Sequence, residues 1–303
     1  MSQNPQEEPE VSGDNDMHTI QKQLRNMRYV DAVQASSEIY NFFGGRVLEH
    51  TTPHGDVLAI KVSSRIDRSE GDMMHYAATH GLRAPRVRGV YDILVGTGTT
   101  TTRRLASAMV SERAPGVPLA DVWQDAMTAA DRDAVKTQLR DQLARMRACS
   151  EPFIGRVGGQ PVRNVYDAAL VGPDSYCGPF ADEAAFDDWC LARIPGGPLA
   201  RAKWRWLLNA ERKRRGARDS NRFVLTHGDL TPRNIIVQGN VVTGIVDWER
   251  SGFFPEYAEY AFAMALCHSH EEWWIPVLEE LLPSCSKQRL EFTRLVEEGV
   301  INS

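Results

Sequence analysis

Short apolar runs separated by turn-forming residues dominate the first third of the chain. Between residues 29 and 64 these runs are cut by a Gly-Gly pair and by Pro-His-Gly-Asp, and further runs at 86–95 and 104–112 flank a Thr-rich segment. Runs of this kind, bounded by Gly, Pro, Asn or Asp, are typical of β-strands. Residues 70–80 have instead the pattern of a helix, which a following Gly and Pro would end. The first third therefore predicts a small antiparallel sheet with one helix.

Beyond residue 128 the apolar positions change to helical spacing. Thr128 and Asp131 match a capping box at the start of this stretch. Apolar residues then recur three or four positions apart, at Val135, Leu139, Leu143 and Met146. Further helices are predicted within 181–193, 199–216, 258–270 and 271–283. The 199–216 stretch is basic and contains two tryptophans, which could suit RNA stacking, but we interpret it as an amphipathic helix with a solvated basic face.

The composition is typical of a soluble globular protein, with 42% hydrophobic and 25% charged residues. A net charge of -5 gives no overall attraction for nucleic acid or an anionic membrane, and no apolar run reaches transmembrane length. Residues 1–17 are acidic and almost free of large apolar side chains, so a disordered tail is expected there, without the pattern of a signal peptide. Five scattered cysteines without a C-x-x-C pair argue against disulfides and zinc. They are Cys149, Cys177, Cys190, Cys267 and Cys285. We expect a cytoplasmic protein with reduced core cysteines and without nucleic-acid, membrane or protein partners.

The segment LTHGDLTPRNIIVQGNVVTGIVDWE places polar residues around a predicted β-hairpin. Its runs IIVQ and VVTG flank a Gly-Asn pair, a two-residue connection of the kind that closes tight hairpins. If Gln238 pairs with Val241, then Asn234 lies opposite Ile245. Asp247 is two residues beyond Ile245, and strand side chains alternate between faces, so Asn234 and Asp247 are expected to point the same way.

An amide oxygen and a carboxylate oxygen at that spacing suit Mg²⁺, which proteins often hold with one or two oxygens together with substrate phosphates. Taken alone, the pair favours a polar hairpin mouth that bonds to backbone groups. However, Asp229 precedes Asn234 by five residues, and the order H-x-D-x-x-x-x-N followed by a strand-end Asp matches the catalytic and metal segments of kinase-fold phosphotransferases. In that mechanism Asp229 accepts the proton of an attacking hydroxyl, while Asn234 and Asp247 hold Mg²⁺. His227 is expected to brace the loop rather than to act as the base.

THGDLTPRNI and IVDWERSGFFPEY resemble segments of the aminoglycoside phosphotransferase and choline kinase group, in particular a fungal branch with D-W-E in place of D-F-G. EPFIGRVGG and GPFADEAAFDDW are also similar to that branch, so the resemblance runs from about residue 37 to the C-terminal helices. It implies an α+β, protein-kinase-like fold with two lobes. The N-lobe, 18–110, would be a small antiparallel sheet with one helix that binds the nucleotide. The C-lobe, 111–303, would be larger and mainly helical, with the catalytic loop and an acceptor site that includes the helical segment 151–222.

The same resemblance implies a nucleotide site in the first third of the chain. Lys61 stands within the apolar strand VLAIKV, on the face opposite its apolar side chains. A buried ammonium needs a partner, and Glu70 matches the family's paired glutamate, so Lys61 would contact the α and β phosphates. Considered alone, Lys61 would be interpreted as an edge-strand lysine that reaches water. The strand and linker that would hydrogen-bond adenine correspond to Val110, Ser111 and Glu112, and the loop over the phosphates to Gly44 and Gly45, although no G-x-G-x-x-G is present.

Together these features predict a small-molecule kinase that uses ATP, or another nucleoside triphosphate, and Mg²⁺ to transfer the γ-phosphoryl group to a hydroxyl group. A protein kinase is less favoured, because Thr231 stands where Ser/Thr protein kinases carry Lys and no A-P-E segment follows. The alternative from another class is a nucleotide-binding pseudokinase that acts as a scaffold or binding module. The small-molecule acceptor is expected near Glu249, Glu256 and Tyr257, where two carboxylates would suit a cationic amine, although a structural role is favoured for Glu256. A fold does not specify which acceptor is used.

Overall fold

The computed structural model describes residues 37–301 apart from 43–44, 67, 97–101, 164–175, 217–221 and 268. The tail expected at 1–17, and Gly44 of the expected phosphate loop, therefore lie outside the described residues. The chain has an α+β fold and divides into two units. Unit 1 takes in the described residues as far as Gly71 together with Pro85–Ala114, and unit 2 takes in Asp72–Ala84 and the described residues from Pro115 onward. The lobe boundaries inferred from the sequence remain a prediction.

Unit 1 contains a single antiparallel sheet. Its strands are β1 (Ser37–Phe42), β2 (Gly45–Thr51), β3 (Val57–Ser63), β4 (Val87–Gly96) and β5 (Thr102–Glu112), and their order is β1-β2-β3-β5-β4. Leu58, Ile60 and Val62 alternate along β3 and are buried in the core of the sheet, because side chains at every second position share a face. Helix α1 (Arg68–Thr79) follows β3; its residues as far as Gly71 belong to unit 1 and those from Asp72 onward to unit 2. The sheet with one helix is thus confirmed.

Unit 2 is mainly helical. Its helices are α2 (Ala129–Ala148), α3 (Glu183–Leu191), α4 (Gly197–Arg215), α5 (Ala258–Leu266), α6 (Ile275–Leu281) and α7 (Lys287–Ile301). Short 3-10 helices occupy Leu119–Asp121, Val157–Gly159, Pro232–Asn234, Trp248–Arg250 and Ser269–Trp274. Its strands are β6 (Val117–Pro118), β7 (Ser150–Glu151), β8 (Val162–Arg163), β9 (Tyr176–Cys177), β10 (Phe223–Thr226), β11 (Ile235–Gln238), β12 (Val241–Ile245) and β13 (Gly252–Phe254). They form the sheets β13-β10-β7, β12-β11-β6 and β8-β9.

Helix α2 begins at the predicted capping box. Thr128 Oγ1 accepts the Asp131 N–H at 3.2 Å, and Asp131 Oδ2 accepts the Thr128 N–H at 3.1 Å. These bonds satisfy two donors that the helix backbone cannot pair internally. The four apolar residues predicted for its inner face are all buried: Val135, Leu139, Leu143 and Met146.

The β11–β12 hairpin has the predicted turn but not the predicted register throughout. Gln238 faces Val241 as expected, and the ladder then shifts, so that Ile235 rather than Asn234 faces Ile245. The pairing inferred for Asn234 is therefore wrong by one residue.

Thr243 is the extra residue on the β12 side of the ladder. Ile236 faces Gly244, whereas the next residue towards the turn already faces Val242. The Thr243 hydroxyl lies 3.1 Å from Ile236 O and 2.5 Å from Pro115 O. The bulge therefore contacts Pro115, which is far away in the sequence. Strand pairs counted outward from the turn are correct only as far as this extra residue.

All five cysteines are free thiols, as expected from their spacing. Cys177 and Cys190 are buried, whereas the other three are only half-buried and so are not core residues as had been predicted. Burial raises the pKa of the Cys177 thiol to about 12. Among the described helices, none combines the length and the apolar character needed to cross a membrane.

Candidate active site

A loop from His227 to Asn234 joins β10 to β11 and carries the predicted catalytic residue. His227 is buried, its Nε2 lies 2.9 Å from Val246 O, and its Nδ1 accepts the Asp229 N–H at 3.3 Å. Because Nδ1 accepts a hydrogen bond, the proton on Nε2 is the one donated to the Val246 carbonyl. Both ring nitrogens are therefore engaged, and the geometry agrees with a bracing role for His227.

Glu259, near the start of α5, holds the first residues of this loop. Its two carboxylate oxygens accept the N–H groups of His227, at 2.6 Å, and of Gly228, at 3.2 Å. Burial raises the pKa of the Glu259 carboxyl, while the two backbone hydrogen bonds act in the opposite direction. A buried N–H without an acceptor costs roughly 1–3 kcal/mol. Glu259 is therefore a positioning residue for the loop.

Glu259 was not among the site residues predicted from the sequence, although the sequence around it indicates a buried carboxylate. It is the single charged residue in the nine-residue run AEYAFAMAL, and it is 6% exposed in the structure. A carboxylate inside an otherwise apolar helix needs hydrogen-bond donors nearby. Its donors are backbone groups more than thirty positions earlier, so a search for motifs along the chain does not reveal them.

Asp229 and Asn234 are brought together by the 3-10 turn that precedes β11. Nδ2 of Asn234 donates to both the carbonyl oxygen and the Oδ2 carboxylate oxygen of Asp229, each at 2.9 Å. Asp229 is half-buried, and Asn234 is buried. The amide thus fixes the orientation of the carboxylate within the loop.

Asp247 directly follows a residue that is bonded to the loop on both sides. Val246 N donates to Asn234 O at 2.9 Å, and Val246 O accepts from His227. Asp247 has φ 65° and ψ 65°, and no other non-glycine residue in the described part of the chain has a positive φ. Such a backbone costs on the order of 1–3 kcal/mol and occurs preferentially at functional sites. The side chain of Asp247 is therefore not oriented by the alternation of a regular strand, as had been predicted. The backbone hydrogen bond between Val246 N and Asn234 O brings the Asp247 segment next to the loop.

The donor atoms at this point suit a hard cation. Because Asn234 Nδ2 donates to Asp229, Asn234 Oδ1 is directed away from Asp229. Mg²⁺ uses amide and carboxylate oxygens as ligands together with phosphates. Within the described ranges, no group of three or more His, Cys, Asp or Glu side chains is arranged to hold a metal ion. Asn234 and Asp247 fit an ion that would take its other ligands from a nucleotide, and their role as metal ligands remains a prediction.

Two further contacts hold the middle of the loop. The Trp274 indole N–H donates to Leu230 O at 3.1 Å, and Trp274 is buried. Arg233 lies 3.4 Å from Glu271, whose side chain is 4% exposed. The backbone around Asp229 is thus held from several elements of unit 2.

In unit 1, Lys61 and Glu70 form the predicted ion pair. Lys61 Nζ lies 2.7 Å from Glu70 Oε1, and the two side chains are 15% and 1% exposed. Lys61 comes from β3, which lies between β2 and β5, so the interpretation as an edge-strand lysine is wrong. Glu70 comes from the first turn of α1. The roles of the pair towards a nucleotide remain a prediction.

The residues expected to contact adenine and phosphates also belong to unit 1. Val110 and Ser111 lie near the end of β5 and pair with both neighbouring strands. Glu112 N donates to Arg86 O at 2.9 Å, so an adenine contact at this N–H would have to replace that bond. Gly45 is the first residue of β2. The nucleotide contacts of these four residues remain a prediction.

The two glutamates proposed for acceptor binding each lie near an arginine. Glu249 Oε2 is 3.6 Å from Arg163 Nη1, and the Glu249 side chain is 37% exposed. Glu256 Oε1 is 3.5 Å from Arg147 Nε, with the Glu256 side chain 56% exposed. The contact of Glu256 agrees with the structural role favoured for it, whereas Glu249 is the carboxylate closer in sequence to Asp247.

Tyr257 has a different environment from the two glutamates. Its hydroxyl donates to Glu183 Oε1 at 3.1 Å, and the Arg289 guanidinium lies 4.6 Å from the ring centroid. Burial raises the pKa of the Tyr257 phenol well above its ordinary value. An acceptor contact at this hydroxyl would have to compete with Glu183, and it stays a prediction.

Solved structures share this fold at low sequence identity. A thermostable mutant of aminoglycoside phosphotransferase APH(4)-Ia, in ternary complex with AMP-PNP and hygromycin B, aligns with a TM-score of 0.58 at 15% identity, covering 94% of this chain and 92% of that chain. Aminoglycoside-3'-phosphotransferase of type VIII aligns with a TM-score of 0.52 at 18% identity, covering 92% and 98%. Amicoumacin kinase hAmiN, in complex with AMP-PNP, Ca²⁺ and Ami, aligns with a TM-score of 0.50 at 16% identity, covering 95% and 76%. At these identities the likeness shows the kinase-like fold.

The family follows from the sequence model. No curated protein sequence matches this chain. Residues 64–282, more than two thirds of the chain, match the model of the phosphotransferase enzyme family, APH. The chain therefore belongs to the phosphotransferase enzyme family.

Proposed function

We propose that this protein is a small-molecule kinase that transfers the γ-phosphoryl group of ATP to a hydroxyl group. The observation that carries the proposal is the fixed arrangement of Asp229 and Asn234 in one loop, with Asp247 one residue beyond a backbone bond to Asn234. Membership of the phosphotransferase family supports the reaction class. AMP-PNP in two structural neighbours supports ATP as the nucleotide.

Asp229 is the base in the proposed reaction. Its Oδ2 is held by the Asn234 amide, so Oδ1 is the oxygen that receives the proton of the acceptor hydroxyl. The hydroxyl oxygen bonds to the γ-phosphorus as the bond from that phosphorus to the β–γ bridging oxygen breaks and ADP leaves. The loop contacts of Glu259 keep this carboxylate in one position before the acceptor binds, which reduces the entropy cost of reaching the reactive geometry.

The remaining residues neutralise and orient the phosphates. Asn234 Oδ1 and the Asp247 carboxylate would hold Mg²⁺, which would offset negative charge on the transferring group. Lys61, oriented by Glu70, binds the nucleotide phosphates. Little covalent work is left to the protein, so positioning and charge supply most of the rate.

We propose a cationic small molecule as the acceptor, with Glu249 as its binding carboxylate. Glu249 is partly exposed and its present partner, Arg163, lies at 3.6 Å, a distance at which an amine can compete. Hygromycin B is bound by one structural neighbour, which makes an aminoglycoside a rational first candidate. Arg163→Gln is expected to lower the KM for a cationic acceptor and to leave that for a neutral sugar unchanged.

The test is acceptor-dependent ADP release by the purified protein with Mg²⁺, across amino alcohols, aminoglycosides and sugars. Asp229→Asn is expected to lower kcat by roughly 10²–10⁴-fold while nucleotide binding persists. Asp247→Asn is expected to weaken Mg²⁺-dependent nucleotide binding as well. Asp125→Asn, at an exposed aspartate of unit 2, is the matched control and should behave like the wild type.

Two outcomes would redirect the assignment. Unchanged turnover in Asp229→Asn would exclude Asp229 as the base. Tight Mg²⁺-dependent ATP binding with no ADP release for any acceptor would favour the nucleotide-binding pseudokinase instead.

A further inference from the structure

Helix α4 has an outer face that no described element covers. Trp204, Leu208 and Glu211 are buried on its inner face. On the opposite side, Leu199 is 87% exposed and Trp206 is 69% exposed. Residues seven positions apart lie on one line of a helix, and exposed Ala202 lies between them. We call Leu199, Ala202 and Trp206 the outer stripe.

Several cations without acidic partners lie on or beside the outer stripe. The helix carries seven Lys or Arg residues and one Glu. Three of the arginines contact carboxylates of α3, namely Arg205, Arg212 and Arg215. The other four are exposed, and no carboxylate among the described residues forms an ion pair with them: Arg201, Lys203, Lys213 and Arg214. At 100° per residue, Lys213 continues the line of the outer stripe, and Lys203 and Arg214 lie beside it. Arg201 is seven positions before Leu208 and lies on the line of the buried residues.

The charge of this face is opposite to that of the whole chain. The net charge is -5, yet the exposed side of α4 is cationic. A partner that is complementary to it must be anionic. It must also gain from contact with an aliphatic and an indole side chain, since Leu199 and Trp206 are the most exposed large hydrophobic residues in the described structure.

A lipid surface meets both conditions. Indole rings favour the boundary between headgroups and acyl chains, leucine enters the apolar layer beside it, and long Lys and Arg side chains reach anionic headgroups. Nucleic acid fits less well, because sequence-tolerant binding uses several aromatic rings along a groove, and the outer stripe offers one ring on a single helix face. We propose that the outer stripe, together with Lys203, Lys213 and Arg214 beside it, binds the surface of an anionic lipid membrane.

The experiment is sedimentation of the full chain with vesicles of phosphatidylcholine alone or with phosphatidylserine added, at low and at physiological salt. Binding is expected only with phosphatidylserine and is expected to weaken with salt. Each cation near such a surface contributes roughly fivefold in affinity, so Lys203→Gln combined with Lys213→Gln should reduce binding about 25-fold. Leu199→Ser combined with Trp206→Ser should reduce it to background.

Matched controls separate the helix face from general effects. Lys287→Gln removes an exposed cation of α7, and Val241→Ser removes an exposed apolar side chain of β12, so both should bind as the wild type does. Mg²⁺-dependent ATP binding by the α4 variants should be unchanged, because none of the substituted residues belongs to the predicted nucleotide site, so that loss of membrane binding is distinguishable from loss of folded protein.

Three results would overturn the proposal. These are no association with either vesicle, equal association with neutral and anionic vesicles, and loss of binding in the control variants. Binding to single-stranded RNA that depends on the same α4 residues, without vesicle binding, would assign this face to nucleic acid instead.

Discussion

The Lys61–Glu70 pair of unit 1 and the Asp229 loop of unit 2 are held in place by different means. The pair is one contact between residues nine positions apart, made by a strand and the helix that follows it. The loop is held through backbone groups by residues as distant in sequence as Glu259 and Trp274. A contact between residues close in sequence can be inferred from their spacing along the chain. Contacts between residues distant in sequence depend on how the folded chain packs. The two regions are therefore expected to respond differently to substitution.

The largest effect is expected from Lys61→Met. Glu70 is 1% exposed, and removal of one partner from a buried ion pair typically costs about 3 kcal/mol or more. The free energy of unfolding, from urea denaturation followed by circular dichroism, should fall by about that amount. The double variant Lys61→Met with Glu70→Leu should recover most of the loss, because it also removes the buried carboxylate that loses its lysine. A single variant as stable as the wild type would contradict the view that this pair acts as one unit.

Glu259→Gln is expected to have a smaller effect on stability but a clear effect on turnover. The glutamine amide keeps one oxygen, which accepts the N–H of His227 or of Gly228, and its NH₂ group faces the remaining N–H. The free energy of unfolding should fall by roughly 1–3 kcal/mol, because that N–H has lost its acceptor. If Glu259 acts through the loop, kcat should fall while the affinity for nucleotide is kept. A proportional loss of both would indicate a general loss of folded protein. Glu272→Gln, at an exposed glutamate, is the control.

Much of this organisation could be predicted from the sequence, and the exceptions have a common cause. The strand with Lys61, the capping box at Thr128 and the hairpin turn all depend on contacts between residues close in sequence. The register shift at Thr243 involves Pro115, and the backbone of Asp247 departs from strand geometry, so local alternation could not place Asn234 and Asp247 correctly. Long-range packing decides these features.

Trp274→Phe is expected to change stability less than Lys61→Met or Glu259→Gln. It removes one hydrogen bond, to Leu230 O, at a net cost of about 1 kcal/mol, and keeps an aromatic ring in the buried site. Because Trp274 and Glu259 hold the same loop, the double variant should show non-additive changes in unfolding free energy and in kcat. Strict additivity would mean that the two contacts act independently and that the loop is not one unit. Trp206→Phe, at an exposed tryptophan, serves as the control.

The smallest effect is the pH dependence contributed by Glu259, and its sign distinguishes two descriptions of the loop. Burial raises the pKa of this carboxyl above its ordinary value of 4.5. Between 4.5 and the raised value, the folded state then holds more protons at this site than the unfolded state does. The contribution of Glu259 to stability should be fully present below pH 4.5 and should be lost as the pH rises through the raised value.

The measurement is the difference in unfolding free energy between the wild type and Glu259→Gln over this pH range, because the other carboxyl groups are common to both proteins. A difference that shrinks as the pH rises means that burial outweighs the two N–H bonds from His227 and Gly228. A difference that grows with pH means that those bonds lower the pKa below its ordinary value. The carboxylate would then be a stronger anchor for the catalytic loop than its burial suggests, and the cost of Glu259→Gln should lie at the upper end of its range.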